Sequence, residues 1–234
     1  RIQQEILLGM GGGRALAALG LAPPVLHTNE GHAAFLVLER IRGLMEEHKI
    51  SFRVAREAAQ SGVVFTTHTP VPAGIDVFPK ELMESYFSSY CREVGISLQD
   101  LLAIGKMPGK GDDSGFNMAV MAVRMSFGTN AVSFLHRETS KVMWQALWPN
   151  VPLSDVPIGH VTNGIHIPTW ISAEMGGLFD RYLGPKWRET PRDSAVWKRI
   201  DRIPMEELWH THERRRERLV AFARMRTRTR LERQ

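Results

Sequence analysis

A single cysteine, Cys91, stands among the 234 residues. No intramolecular disulfide framework therefore holds the chain, and a reducing cytosol suits it. No apolar run approaches the roughly 20 residues that a membrane-spanning helix needs, and the most apolar stretch, Met118 to Val123, is broken by Arg124. The opening Arg1-Ile2-Gln3-Gln4-Glu5 lacks the basic head and apolar core of a secretory signal. These absences lead us to expect a cytoplasmic protein with no membrane partner. The first residue is not Met, from which we expect a processed chain or a piece of a longer one.

What is present is ordinary for a soluble globular protein: 43% apolar and 24% charged residues, enough chain for one good-sized domain or two small ones. The net charge is +5, but its placement argues against nucleic acid. From Asp201 to Gln234, ten arginines meet six acidic residues, which leaves only +1 on the other 200 residues. Arg214, Arg215, Arg216 and Arg218 alternate with Glu213 and Glu217, while Leu208, Leu219, Phe222 and Ala223 make an apolar stripe. That pattern predicts an amphipathic helix with a solvated polar face, and no aromatic-interleaved basic groove accompanies it.

Along the chain, Ile2 to Leu8 reads as a helix that Gly9, Gly11, Gly12 and Gly13 interrupt before Arg14 to Leu19 resumes it. A dinucleotide fingerprint would need a strand before the glycines, so the cluster predicts a helix break. Pro23-Pro24 introduces a short strand, Val25 to His27. Phe35, Leu36, Leu38, Ile41 and Leu44 recur at helical spacing, a second helix covers Phe52 to Gln60, and Val63 to Thr67 is a strand. A strand-helix-strand unit implies parallel strands, whose functional groups gather beyond the strands' carboxyl ends. Helices are predicted around Glu81 to Glu93 and Leu98 to Ile104, then a flexible loop over Met107 to Gly115. Further helices cover Asn117 to Met125 and Val132 to Leu147, the latter capped by Asn130. Ile158 to Val161 is a last strand.

Among nine histidines, His27, His32, His68 and His166 fall at or just past strand ends. His27 and His32 are five apart, without the helical spacing of a zinc motif or a nearby Cys, so no metal site is expected. No Ser sits on a Gly-x-Ser-x-Gly elbow, and Cys91 reads as a packed thiol. What remains is a set of neutral hydrogen-bonding groups, Thr28, Asn29, Thr67, His68, Thr69 and Asn163, with one carboxylate, Glu30. Such groups bind polyols; they also cap helices and close turns, and spacing alone leans slightly to the second reading.

Whole strings of residues carry more. His27-Thr28-Asn29-Glu30-Gly31-His32-Ala33-Ala34-Phe35 through Glu39-Arg40-Ile41 resembles a segment of the glycogen/starch (α-glucan) phosphorylases. So do Phe65-Thr66-Thr67-His68-Thr69-Pro70-Val71-Pro72-Ala73-Gly74, then Phe116-Asn117-Met118-Ala119 with Asn130-Ala131-Val132 and Leu135-His136, then Val161-Thr162-Asn163-Gly164-Ile165-His166 to Trp170. The four occur in family order and cover most of residues 1–172.

The resemblance implies an α/β fold, a Rossmann-like parallel sheet flanked by helices, as part of the N-terminal half of a two-domain GT-B glycosyltransferase. Residues 1–200 would be a partial glucan-binding domain and 201–234 an Arg-rich connector helix to a C-terminal cofactor domain absent from this chain. It implies phosphorolysis of a terminal α-1,4-glucan bond by orthophosphate, releasing glucose 1-phosphate with pyridoxal 5′-phosphate as cofactor. His68 would hold the reacting glucose through its ring and backbone carbonyl, and Asn163 would bind the same hydroxyl. Glu30 and His32 would line the acceptor side, with Asn29 and Thr69 also touching substrate. Trp170 would approach the cofactor, and His136 would be structural. Glu30 stands where other branches carry Asp. None of the seven lysines (49, 80, 106, 110, 141, 186, 198) matches the family's Schiff-base context, so the chain alone is expected to be inactive. The alternative is a truncated, non-catalytic glucan-binding relic of the same fold; a nucleotide-sugar transferase fits the strings less well. A homo-oligomer is compatible with this reading.

Overall fold

A computed structural model describes residues 1–109, 111 and 114–232. Lys110, Asp112 and Asp113, part of the expected Met107–Gly115 loop, lie outside the described residues, as do the last two residues of the chain. Two compact units follow one another, Arg1–Asn163 and Gly164–Gln234.

In the first unit, four strands form one parallel sheet in the order β1-β2-β5-β6: β1 Leu26–Asn29, β2 Val63–Thr67, β5 Gly128–Ala131 and β6 Ile158–His160. The register pairs Asn29 with Thr66, Thr66 with Asn130, and Asn130 with Gly159. A two-stranded antiparallel ribbon, β3 (Val77–Phe78) with β4 (Phe116–Asn117), lies outside that sheet. The β1-to-β2 connection carries α3 (Leu36–His48) and α4 (Phe52–Ser61), so the strand-helix-strand unit expected from periodicity is present. Between β2 and β5 run α5 (Lys80–Val94), α6 (Leu98–Gly105) and α7 (Met118–Arg124), and α8 (Phe134–Trp144) joins β5 to β6.

The sequence expectation fails at β5. Asn130 does not cap a helix; it is paired inside a strand, and Ser133 caps α8 by accepting the His136 N–H at 3.1 Å. Gly128, Thr129 and Asn130 do not read as a strand because they lack the branched apolar pattern. They are held as one by ladders from β2 on one side and β6 on the other, tertiary pairing overriding propensity.

The glycine cluster also differs from expectation. The chain does not break there: α1 (Ile2–Ile6) passes through a π-helical turn, Leu7–Gly11, into α2 (Gly12–Ala18) with helical dihedrals at the junctions. The glycines serve close approach. A Cβ on Gly9 would stand 2.6 Å from the Leu36 backbone nitrogen, so this turn packs backbone against the start of α3.

The core of this unit centres on aromatic rings. Phe35 stacks with Phe78 and Phe116 at 6.4 and 6.3 Å and tilts against Phe87 at 4.7 Å. Cys91 is buried among them as a free thiol whose pKa burial raises. Tyr90 donates its hydroxyl to the Leu38 carbonyl at 2.9 Å, which resolves the one polar atom of that buried ring.

The second unit contains α9 (Ile167–Trp170), α10 (Ala173–Leu183), α11 (Lys186–Glu189), α12 (Ser194–Trp197) and α13 (Met205–Leu231). Leu178, Leu183, Trp187, Val196 and Ile203 make its small core, with Leu208 packed at the edge. The Arg-rich segment is helical as expected, but its supposed apolar stripe is not buried: α13 has no buried residue, and Leu219 and Phe222 are exposed. Among the described residues, no helix is long and apolar enough to cross a membrane.

Candidate functional site

Parallel strands bring their carboxyl ends to one side of a sheet, and three of these four end in a polar residue, Asn29, Thr67 and His160, while β5 ends in the buried Ala131. A hydrogen-bonded row crosses the first three. The Thr66 hydroxyl donates to Asn130 Oδ1 at 2.9 Å, and with its one proton so used it accepts from His27 Nε2 at 2.7 Å. His27 is thereby fixed with a proton on Nε2, and β1, β2 and β5 are tied side to side just before they end.

Beyond β1, Glu30 adopts φ 67° and ψ 170°, in a region that only glycine visits freely. The strain has an evident use. Its carboxylate turns across to the loop after β2, where Oε1 accepts the backbone N–H of Thr69 at 2.7 Å, the Thr67 hydroxyl at 3.4 Å, and the backbone N–H of His68. Oε2 accepts from Gly31 N at 3.3 Å. One side chain therefore fixes the two strand ends against each other. Gly31 lets the turn after Glu30 pack on the start of α7, because a Cβ there would lie 3.1 Å from the Ala119 nitrogen.

His68, held by its backbone to Glu30, is half-buried, and its Nε2 is shut from solvent with no partner among the described residues. A buried ring nitrogen without a partner costs about 1–3 kcal/mol, which a ligand hydroxyl would recover. His136 is buried and also leaves Nε2 unpaired among the described residues, while its Nδ1 accepts the Val132 N–H at 3.4 Å.

His32 sits on the short helical turn Gly31–Ala33, within electrostatic reach of Asp76. Asp76 belongs to a cluster that motif reading passed over. Arg1 Nη2 bonds Asp76 Oδ2 at 2.9 Å, and Arg1 Nε bonds Glu5 Oε1 at 3.2 Å. Burial, then hydrogen bonding to Asp76, raise the Glu5 pKa to about 7 against the pull of Arg1. Burial works to raise Asp76 as well, but hydrogen bonds from Arg1 and Glu5 bring it below its ordinary value. Glu5 Oε2 is buried with no donor among the described residues; a proton on the carboxyl makes Glu5 itself a donor to Asp76. The only sequence signal for this cluster is the acidic residue that closes the Pro-Gly loop after His68.

Asn29 ends β1 with its side chain exposed, and Thr69 is half-buried beside His68. These join Glu30, His32 and His68 in one neighbourhood at the ends of β1 and β2. Asn163 is exposed past β6, anchored by its N–H to the Val132 carbonyl at 3.1 Å, so β5 separates it from the β2 end. Trp170 belongs to the second unit, on α9, and is 77% exposed. Among the described residues, no three His, Cys, Asp or Glu side chains are grouped to hold a metal.

The residues do not form a pyridoxal phosphate cradle on their own. Lys141 is the one buried lysine among the described residues, and it is committed to the Ser154 carbonyl at 2.5 Å. Lys49, Lys80, Lys186 and Lys198 are exposed. Of these five lysines, the one that is buried is already hydrogen-bonded and the other four lie in solvent.

Fold and site together define a parallel α/β unit whose strand ends gather neutral donors and acceptors around one strained carboxylate. A family model described as carbohydrate phosphorylase matches residues 21–234, and the chain belongs to that family. It is 41% identical over its whole length to the maltodextrin phosphorylase of Thermococcus litoralis, of which it covers 27%. It is also 39% identical over 97% of its length to the glycogen phosphorylase of Mycobacterium tuberculosis, again covering 27% of that protein. The glycogen phosphorylase of Aquifex aeolicus is 34% identical over 98% of this chain, which spans 32% of it. The chain thus spans about a quarter to a third of the length of these relatives.

Proposed function

We propose that this chain supplies part of the glucan-binding half of an α-1,4-glucan phosphorylase. The complete enzyme would release glucose 1-phosphate from glucan ends with orthophosphate. The observation that carries this reading is the buried, unpartnered Nε2 of His68 at the joined ends of β1 and β2. A sugar hydroxyl both donates and accepts, and would satisfy that nitrogen in either tautomer. The His68 backbone, held rigid by Glu30, would present its carbonyl to positive charge developing on the reacting sugar. Asn163 would bind the same hydroxyl, and Asn29, Thr69, Glu30 and His32 would border the acceptor. On this geometry Glu30 acts chiefly by positioning, since its oxygens are already occupied.

Residues 1–200 would then belong to the first half of a GT-B fold, and 201–234 would lead toward a second half that holds pyridoxal 5′-phosphate. That cofactor would supply its phosphate group as an acid-base partner. Trp170 would lie on the cofactor side. Without a lysine of its own for that group, this chain should not turn over glucan, and the cytoplasm suits its chemistry. The second reading, a glucan-binding relic, draws on the same His68 site and differs only in lacking the second half.

The test is glucose 1-phosphate release from a maltooligosaccharide and orthophosphate by the longer, cofactor-loaded polypeptide that carries this chain. Robust release that falls by about 100-fold or more in His68→Ala is expected. A folded, cofactor-loaded parent with no release would overturn the proposal. Retained maltooligosaccharide binding would then favour the relic.

A further inference from the structure

On the first unit, apart from the strand ends, a cleft of about 440 Å³ lies between α4, the turn from α5 into α6, and the end of α6. Its apolar walls are Phe52, Ile96 and Ile104, and three arginines line it: Arg53, Arg56 and Arg124. Arg124 Nη1 donates to the Ala103 and Ile104 carbonyls at 2.6 and 3.0 Å, capping the last turn of α6. Arg56 is different: its Nε is buried with no acceptor among the described residues. Asp100 is the one acid on the cleft, and it is turned into the capping box of its own helix. Its Oδ2 takes the Ser97 N–H at 3.1 Å and the Ser97 hydroxyl at 2.6 Å.

Three cations therefore meet one committed carboxylate. Burial first, then the charge of Arg56, lower the Arg124 pKa, so these two groups repel each other across the cleft. A buried N–H without an acceptor beside a repelling like charge is an arrangement that an anion resolves. Planar guanidinium groups bind phosphate oxygens best of all. The apolar walls set the rest of the ligand: Phe52 and Ile96 stay partly exposed along the cleft, and the buried Ile104 closes it.

We propose that this cleft binds a small organic phosphomonoester, its phosphate on Arg56 with Arg53 and Arg124, and its apolar body on Phe52, Ile96 and Ile104. The site stands on residues apart from the glucan reading and does not depend on it.

Phenyl phosphate titrated calorimetrically into this chain is the direct probe, with inorganic phosphate as the comparison. One saturable site for phenyl phosphate is expected, with inorganic phosphate clearly weaker. Arg56→Gln should weaken phenyl phosphate about tenfold or more, while Arg228→Gln, on the exposed α13, should leave it unchanged. Circular dichroism checks that the variants fold. If Arg56→Gln does not fold, Arg53→Gln on the exposed side of the same helix decides in its place. No saturable binding up to about 10 mM in the folded chain, or equal affinity in the arginine variants, overturns the proposal. Inorganic phosphate binding as tightly as phenyl phosphate overturns the organic ester as ligand.

Discussion

Above neutral pH the folded protein must hold two carboxylates, Glu5 and Asp76, against the single guanidinium of Arg1, with Glu5 only 2% exposed. Glu5 avoids this by keeping its proton up to about pH 7, whereas an unfolded chain would release it near its ordinary value of 4.5. Between those values the folded state holds more protons than the unfolded one, so stability declines as pH rises through the window. Asp76, lowered instead, loses its contribution only in more acidic solution and does not mask the effect. We predict that Glu5→Gln abolishes most of the difference in urea midpoint between about pH 5 and about pH 8. The difference itself is at most about 3 kcal/mol, reduced by the solvent around Arg1. Parallel pH profiles for the two proteins would refute the assignment. His68, Glu30 and His32 could be named from the chain because they stand in long recognisable strings. Glu5 could not, because its role comes from a residue 71 positions away that only folding brings near.

Helices α1 and α2 and the π turn between them illustrate how the same residue type acts oppositely at neighbouring positions. Gly9 meets the backbone of Leu36 and Phe35, which cannot move aside, whereas nothing lies within 4 Å of a Cβ on Gly12. Gly9→Ala should cost about 1–3 kcal/mol, or more if the π turn gives way. Gly12→Ala should instead add about 0.5–1 kcal/mol, since its backbone is already helical. Thermal unfolding of the two variants reads the contrast, and equal shifts would count against the close-packed π turn. The composition of Gly9 to Gly13 resembles a helix break because propensity has no means of registering a neighbour that demands the missing Cβ. β5 escaped for the complementary reason. Its Gly-Thr-Asn-Ala earns no strand score, and its pairing with Val64 to Thr67 is contributed by another part of the chain. Val63 to Thr67 itself was legible, being a buried central strand rich in branched residues.

Across the whole molecule, the division into Arg1–Asn163 and Gly164–Gln234 falls in a stretch with no regular structure and high exposure, Val161 at 67% and Ile165 at 74%. Brief thermolysin treatment should therefore nick the native chain before Ile165, giving two fragments whose bounds lie one residue from those of these units, read by mass spectrometry. First cleavage inside β2 or α3 would contradict the division. The parallel α/β organisation was legible from alternating strand and helix patterns. The unit boundary was not, because Asn163-Gly164 reads locally as one turn among many.

The strand order has a further consequence in time. β1 and β2 can pair as soon as both have been synthesised, yet Thr66 finds Asn130 only 64 residues later. Throughout that interval β2 is an outer strand, with the residues destined for the centre of the sheet at its open edge. Anything extended that arrives first competes for that edge, so mispairing at β2 is the hazard that this strand order carries.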